Sequence, residues 1–204
     1  MNGEKPPQNT NKVFSMPKEG SPEYNRRKRK PLNPNETRKQ EELLEELFYQ
    51  GTKLAQENDR QGALKIYERI LEIDENHVEA LTNIGIIYFD SGDFKKAEEF
   101  LGKALKINPE NLLTNFDMGS VKGEQGQREE EIKYYLKVIE IDPLYPDVYY
   151  NLGLAWRILG KYENAILCYR RYLDLTRYKK DEIDIAIIEG EIERCGDLQK
   201  KKTK

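Results

Sequence analysis

Residues 78–111 read VEALTNIGIIYFDSGDFKKAEEFLGKALKINPEN, and this stretch decides the fold. Its apolar residues recur every three or four positions, which is the spacing of an amphipathic α-helix, whereas a strand would show a spacing of two. Gly92-Asp93 interrupts the periodicity halfway, and Pro109 follows the second apolar run. Because proline stops a helix and turns the chain towards the next element, the stretch predicts two antiparallel helices.

The same pattern occurs four times in succession without insertions. Blocks 44–77, 78–111, 112–145 and 146–179 place the same residue types at the same positions within each block. Position eight is Gly51, Gly85, Gly119 and Gly153, and position twenty-four is Tyr67, Leu101, Tyr135 and Tyr169. Position twenty is Ala63, Ala97, Glu131 and Ala165. Small side chains at positions eight and twenty allow two helix backbones to approach, and large side chains fill the space beside them.

These blocks resemble the tetratricopeptide repeat family. The second block carries the resemblance at Leu81, Ile84, Gly85, Tyr88, Gly92, Ala97, Leu101, Ala104 and Pro109, and the fourth at Tyr149, Leu152, Gly153, Trp156, Gly160, Ala165, Tyr169 and Tyr172. The resemblance implies an all-α fold, an α-solenoid of four helical hairpins that form a right-handed superhelix, with a C-terminal capping helix. We therefore expect a disordered basic tail over 1–34, four repeats over 35–179, the capping helix over 180–197 and a basic tail over 198–204.

The third block departs from the pattern at three positions. Asn115, Lys122 and Glu131 stand where a large apolar residue, a large aromatic residue and a small residue are usual. This departure indicates either a looser, partly solvated repeat or an ion pair between Lys122 and Glu131 inside the hairpin. Since a partly buried ion pair adds little stability, we predict that the third repeat opens most easily.

The two ends of the chain differ from the repeats in composition. Residues 1–34 hold six of the nine prolines and few aliphatic residues, so they cannot bury enough apolar surface to fold. Thr37 and Gln40 have the spacing of a capping box, which predicts Thr37 as the first N-cap. Near the C-terminus an apolar stripe recurs at helical spacing: Ile183, Ile187, Ile188, Ile192 and Cys195. The stripe indicates a helix that caps the last repeat or, alternatively, one that forms a dimer through residues 181–197; we expect a monomer.

The sequence shows no catalytic or cofactor-binding pattern. His77 is the only histidine, Cys168 and Cys195 lack the spacing of a metal site, and no glycine-rich loop ends in Gly-Lys-Ser/Thr. We therefore expect a non-catalytic protein without metal or cofactor. No stretch approaches the ~20 apolar residues of a membrane span, and no apolar run follows the N-terminal charges, so we expect a cytoplasmic location.

By the resemblance, positions two, five, nine, twelve and thirteen of each block line a concave groove, and we call this set the groove face. Its residues are Glu45, Phe48, Thr52, Ala55, Gln56, Glu79, Thr82, Ile86, Phe89, Asp90, Leu113, Phe116, Ser120, Gly123, Glu124, Asp147, Tyr150, Leu154, Arg157 and Ile158. Aromatic anchors dominate interface energies, and acidic rims favour basic ligands. The four aromatic rings and surrounding acids therefore predict a protein or peptide segment with apolar anchors and Lys/Arg flanks. The alternative is that each ring only packs against an adjacent helix.

The sequence argues against a carboxylate clamp, by which some family members bind the C-terminus of heat-shock chaperones. The clamp positions are occupied by Phe48, Thr52, Asn83, Leu113 and Asp117, and only Asn83 agrees with the clamp pattern. Since Asp117 would repel a terminal carboxylate, we expect no chaperone tail in the groove. Asn83 stays a candidate groove residue.

Charge is distributed unevenly along the chain. Residues 1–42 and 200–204 each carry +4, which leaves −11 on residues 43–199. The N-terminal charge is concentrated in Arg26, Arg27, Lys28, Arg29 and Lys30. This run has three interpretations. The first is a solubilising tail, and the second is a contact with anionic lipid or nucleic acid or, in a nucleated cell, a nuclear import signal. The third is a segment that docks in the chain's own acidic groove. The function accordingly has two hypotheses, an adaptor that binds a protein segment or an assembly component tethered to a membrane surface or nucleic acid.

Overall fold

The computed structural model describes residues 33–176, 178 and 182–202, so the basic run over 26–30 lies outside it. Within the described residues the chain forms nine α-helices and no strand. The helices are α1 (Pro34–Gln56), α2 (Arg60–Ile73), α3 (Val78–Asp90), α4 (Phe94–Ile107), α5 (Leu112–Glu124), α6 (Arg128–Ile141), α7 (Pro146–Ile158), α8 (Tyr162–Thr176) and α9 (Glu182–Lys202). The chain divides into two compact units between Glu42 and Leu43, and the second unit holds α1 from Leu43 onwards together with all the later helices.

Each hairpin has a tight turn at position fifteen of its block. Asn58, Gly92, Gly126 and Gly160 have φ of 65°, 80°, 73° and 67°. Because a Cβ atom crowds the left-handed region, glycine and, less often, asparagine are preferred there. In the first two hairpins the next residue caps the second helix, since Asp59 accepts from the N–H of Gly62 and Asp93 from that of Lys96. Two adjacent residues thus end one helix and start the next.

The two helices of a hairpin approach most closely where position eight faces position twenty-four. A Cβ atom on Gly119 would lie 2.5 Å from Cε1 of Tyr135, and one on Gly153 would lie 2.6 Å from Cε1 of Tyr169. Distances this short would force the ring to move, so a larger residue than glycine does not fit without rearrangement. Both tyrosines are almost fully buried, which places this contact in the core of the hairpin.

Neighbouring hairpins share their buried side chains. One cluster joins Tyr135 and Val138 of the third hairpin to Val148 of the fourth. The first helices of the second and third hairpins also touch directly, since the hydroxyl oxygens of Thr82 and Thr114 lie 2.7 Å apart. A core buried between successive repeats defines an α-solenoid, so the predicted fold class is confirmed.

The first helix begins earlier than predicted. Asn33 is its N-cap, because Asn33 Oδ1 accepts from the N–H of Glu36 while Glu36 Oε2 accepts from the N–H of Asn33. This reciprocal pair is a capping box, so the capping box predicted at Thr37 and Gln40 is wrong. Pro34 favours the earlier start, since its fixed φ suits the first helical position. Proline has no N–H, and an N–H at that position would have no partner within the helix.

The unusual charged residues of the third hairpin have other partners than the one predicted. Lys122 is buried, and its Nζ lies 2.6 Å from Oε1 of Glu98 on α4. Glu131 is also buried and lies 2.7 Å from Arg128, one turn earlier on α6. The predicted Lys122–Glu131 ion pair is therefore wrong, because each residue has another partner of opposite charge. Asn115 donates its amide hydrogens to two backbone carbonyls just before or at the start of α5.

One face of α9 covers the fourth hairpin. Ile188 and Cys195 are buried there, in the same cluster as Leu173 on α8. The end of a solenoid needs such a cover for its last apolar surface, so the predicted capping helix is confirmed. Ile187 remains 57% exposed. A dimer through residues 181–197 stays a prediction.

The capping helix is longer than predicted. It continues to Lys202, so residues 198–202 are helical and do not form a separate tail. Three lysines lie in its last turn, where positive charge interacts favourably with the negative end of the helix dipole. Lys202 Nζ also donates to the carbonyl of Gly160, at 3.3 Å.

Candidate functional site

Four aromatic rings of the groove face lie on successive first helices. They are Phe48 on α1, Phe89 on α3, Phe116 on α5 and Tyr150 on α7. The centroid of each lies within 6.1 Å of a neighbouring aromatic ring, and all four side chains keep some exposed surface. The alternative of intramolecular packing therefore holds in part. Each ring is positioned by its neighbours and is still accessible to a ligand.

Two aliphatic side chains of the groove face are more exposed than the rings. Leu113 is 56% exposed at the start of α5, and Ile158 is 54% exposed at the end of α7. Leu154, one turn before Ile158, is partly buried. Together with the rings, these side chains give the first helices of the third and fourth hairpins an apolar surface in contact with water.

The predicted hydroxyl residues have different surroundings. Thr52 Oγ1 lies 3.4 Å from the hydroxyl of Tyr67, and Ser120 Oγ lies 3.2 Å from that of Tyr135. Both remain partly exposed. Thr82, by contrast, is 6% exposed and bonded to Thr114, because the adjacent first helix covers it. It presents almost no surface to a ligand.

A cavity of about 300 Å³ lies between the first two hairpins. Its lining brings six of the predicted residues together: Thr52, Ala55, Gln56, Asn83, Ile86 and Asp90. Arg60 also lines it, and Nη2 of Arg60 lies 3.5 Å from Oδ2 of Asp90. Polar side chains with an isoleucine between them can accommodate a mixed apolar and polar peptide side chain.

The acids of the groove face are solvent-exposed. Glu79, Asp90, Glu124 and Asp147 all belong to this group. The single predicted base, Arg157, has a partner inside the protein, because its Nε lies 3.4 Å from Oε2 of Glu191 on α9. The groove face therefore presents acids to a ligand while its own base is engaged by the capping helix.

The sequence predicts Asp117, beside this face, only as a residue that repels a terminal carboxylate, and sequence reasoning missed it as a contact for a basic ligand. Asp117 on α5 is partly buried, and among the described residues its carboxylate has no hydrogen-bond or ion-pair partner. Burial and, secondarily, the charge of Asp90 raise the pKa of Asp117 to about 7. The signal in the sequence was the change of charge at position six, where the third block has Asp117 and the neighbouring blocks have Asn83 and Asn151.

Hairpins stacked through shared cores, with a mixed aromatic and acidic face on their first helices, define a helical-repeat interaction module. The chain belongs to the tetratricopeptide repeat family. The family model described as "Tetratricopeptide repeat" matches residues 78–111 and 146–175, and the model described as "TPR repeat" matches residues 119–156.

Similar proteins place this module in different contexts. A "Probable UDP-N-acetylglucosamine--peptide N-acetylglucosaminyltransferase SPINDLY" of Hordeum vulgare is 28% identical over 135 residues, which are 63% of this chain and 14% of that protein. An uncharacterized protein of Methanocaldococcus jannaschii is 33% identical over 86 residues, which are 42% of this chain and 83% of that protein. The crystal structure of MamA protein superimposes with a TM-score of 0.61 at 25% identity, covering 78% of this chain and 88% of that one.

No helix within 33–176 and 182–202 is long and apolar enough to cross a membrane. The same ranges contain no group of three or more His, Cys, Asp or Glu side chains placed to hold a metal ion.

Proposed function

We propose that this protein is a non-catalytic adaptor that binds a segment of another protein along the groove face. Tetratricopeptide repeat proteins bind other proteins or peptides, and the groove face supplies the means to do so here. The observation that carries the proposal is the row of partly exposed rings, with Leu113 and Ile158 more than half exposed beside them. The transferase activity in the name of the Hordeum vulgare relative is not part of the proposal, since the match covers 14% of that protein.

The rings suit the role of binding anchors because they are already held in place. Phe116 lies between the rings of Tyr135 and Tyr145, with centroids 5.7 and 5.4 Å away. A side chain that is ordered before binding loses little entropy when a ligand covers it. Truncation of such an anchor at the centre of an interface typically costs ~2 kcal/mol or more of binding energy.

The acids set the charge of the ligand. Glu79, Glu124 and Asp147 are exposed on the groove face, and Asp90 is only partly neutralised by Arg60 at 3.5 Å. Acidic surfaces accelerate the encounter with basic segments and disfavour acidic ones. The proposed ligand is therefore an extended or helical segment with apolar anchors and Lys/Arg flanks, and a terminal carboxylate is a poor ligand.

The exposed aliphatic residues allow a test that leaves the core intact. Leu113→Ser with Ile158→Ser changes the groove face, and the matched control Leu136→Ser with Leu167→Ser changes second helices, where these residues are 45% and 64% exposed. Affinity capture from native lysate should lose a protein with the groove variant and keep it with the control. Capture that survives the groove variant and fails with the control would assign binding to the second helices and refute the proposal.

A further inference from the structure

A polar contact recurs at the boundary between two hairpins. Tyr67, at position twenty-four, contacts Thr52 at position nine of its own block and Asn83 at position six of the next block. Tyr135 makes the equivalent contacts with Ser120 and Asn151. At these two boundaries the tyrosine hydroxyl thus lies beside a neutral amide at position six.

The boundary between the second and third hairpins lacks this contact. Position twenty-four is Leu101 and position nine is Ile86, so neither supplies a hydroxyl. Position six is Asp117, which carries a charge where the neighbouring blocks have a neutral amide. Asp117 therefore carries a carboxylate at the boundary where Leu101 and Ile86 replace the hydroxyl-bearing residues of the other two boundaries. Its oxygens are not fully buried, so solvent reaches them.

Among the residues that the structure describes, the surroundings of Asp117 contain acids and no base that neutralises it. On α3 the charge of Asp90 acts on Asp117 and raises its pKa further. Before α7, the phenol of Tyr145 has its own pKa raised by burial and by the charges of Asp147 and Asp117. No Lys, Arg or His within 33–176 and 182–202 forms an ion pair with Asp117 or lowers its pKa. The part of the chain that the structure describes therefore places no cation against this carboxylate.

We propose that Asp117 is the specificity-determining residue of the groove, and that it receives one lysine or arginine side chain of the bound segment while Asp90 lies alongside. The inference rests on the proposed adaptor function and deepens it, because it assigns the basic residue of the ligand to one position. A cation at this site gains from the same partial burial that disfavours the unpartnered carboxylate.

Binding at this position is coupled to the release of a proton. The pKa of Asp117 is about 7 in the free protein, so the carboxyl group is mostly neutral at pH 6 and mostly charged at pH 8. Only the charged form pairs with a cation, whose own charge does not change over this interval. The affinity for a basic segment therefore rises with pH, by about tenfold between pH 6 and pH 8. Asn at this position removes the dependence.

The test uses the full chain and a phage-displayed library of random twelve-residue peptides, panned at pH 8 against wild type, Asp117→Asn and the matched control Asp174→Asn. Asp174 is an exposed residue of α8. Peptides enriched on wild type and on the control should share a lysine or arginine at one position and bind Asp117→Asn at least about tenfold more weakly. Fluorescence anisotropy with one enriched, histidine-free peptide should then show the pH dependence in wild type and in Asp174→Asn, and not in Asp117→Asn.

The outcomes separate the two proposals. Peptides that are enriched on wild type without a shared basic residue, or that bind Asp117→Asn equally well, overturn the role of Asp117 and leave the adaptor function standing. An affinity that does not change between pH 6 and pH 8 has the same meaning. A library from which wild type enriches no peptide overturns the adaptor function, and the inference with it.

Discussion

Replacement of Asp117 by asparagine should stabilise the free protein at neutral and alkaline pH. Burial raises the pKa of Asp117 from the ordinary value of 3.8 to about 7. Each pH unit of such a rise corresponds to about 1.4 kcal/mol, so the charged carboxylate destabilises the folded chain by at most roughly 4 kcal/mol. Because solvent reaches the oxygens, we expect a gain of about 1–3 kcal/mol in the free energy of unfolding. The amide is compatible with the fold, since Asn83 and Asn151 occupy the same position in the neighbouring repeats.

The sign of the pH dependence follows from the raised pKa. Between about pH 4 and pH 7 the folded chain keeps the proton of Asp117 while the unfolded chain loses it. The contribution of Asp117 to stability is therefore greatest at low pH and falls as the pH rises through this interval. Asparagine does not titrate. The advantage of Asp117→Asn should thus be near zero at pH 4 and complete above pH 7.

Urea unfolding followed by far-ultraviolet circular dichroism measures this advantage at pH 4.5 and pH 8. The control Asp174→Asn makes the same chemical change at an exposed position and should stay within about 0.5 kcal/mol of wild type. An Asp117→Asn chain that is no more stable than wild type at pH 8 would refute the reasoning. A gain of equal size at both pH values would also refute it, because such a gain would not depend on the ionisation of the carboxyl group.

Other predictions test the packing. Gly119→Ala should lower the free energy of unfolding by about 1–3 kcal/mol because its Cβ would press on Tyr135, whereas Gly190→Ala, in open space on α9, should raise it by about 0.5–1 kcal/mol; thermal unfolding compares them. Lys122 lowers the pKa of Glu98, so this pair stabilises the fold fully above about pH 4.5 and progressively less as the pH falls through the lowered pKa. Because the Glu98 side chain is 40% exposed, Glu98→Gln should cost about 1 kcal/mol or less at pH 7 and flatten the decline of Tm towards pH 3. Amide hydrogen exchange should show the third repeat opening before the second, and equal protection of the two would contradict the prediction.

The hairpins were predictable because their determinants lie within one block. A glycine at position eight and a large residue at position twenty-four meet inside the same pair of helices, as Gly153 and Tyr169 do. Partners across repeats were not predictable in this way. Lys122 pairs with Glu98 on the preceding repeat, and the sequence alone does not give the angle at which the two repeats stack. Propensity rules fix local geometry, whereas the partner of a buried charge depends on distances between elements.

The groove face shows the same division. Its composition follows from the register of the repeats, which places Phe116 and Tyr150 on equivalent turns of α5 and α7. Its accessibility depends on neighbours that the register does not position. Thr82 is covered by the adjacent first helix, and Arg157 is engaged by Glu191 of the capping helix. The sequence identified Asp117 only as a residue that repels a terminal carboxylate, and its lack of a counter-charge became visible only in the structure.

Departures from a repeat pattern can be sorted by whether the protein itself compensates for them. Lys122 and Glu131 break the pattern of the third repeat, and each has a counter-charge within 2.7 Å, so both have a structural explanation. Asp117 stands in the same repeat where both neighbouring repeats have asparagine, has no counter-charge among the described residues, and has its pKa raised to about 7. A destabilising residue without internal compensation is characteristic of a functional site, where the compensating group arrives with the ligand. This difference is the reason to assign Asp117 to binding and the other two charged residues to folding.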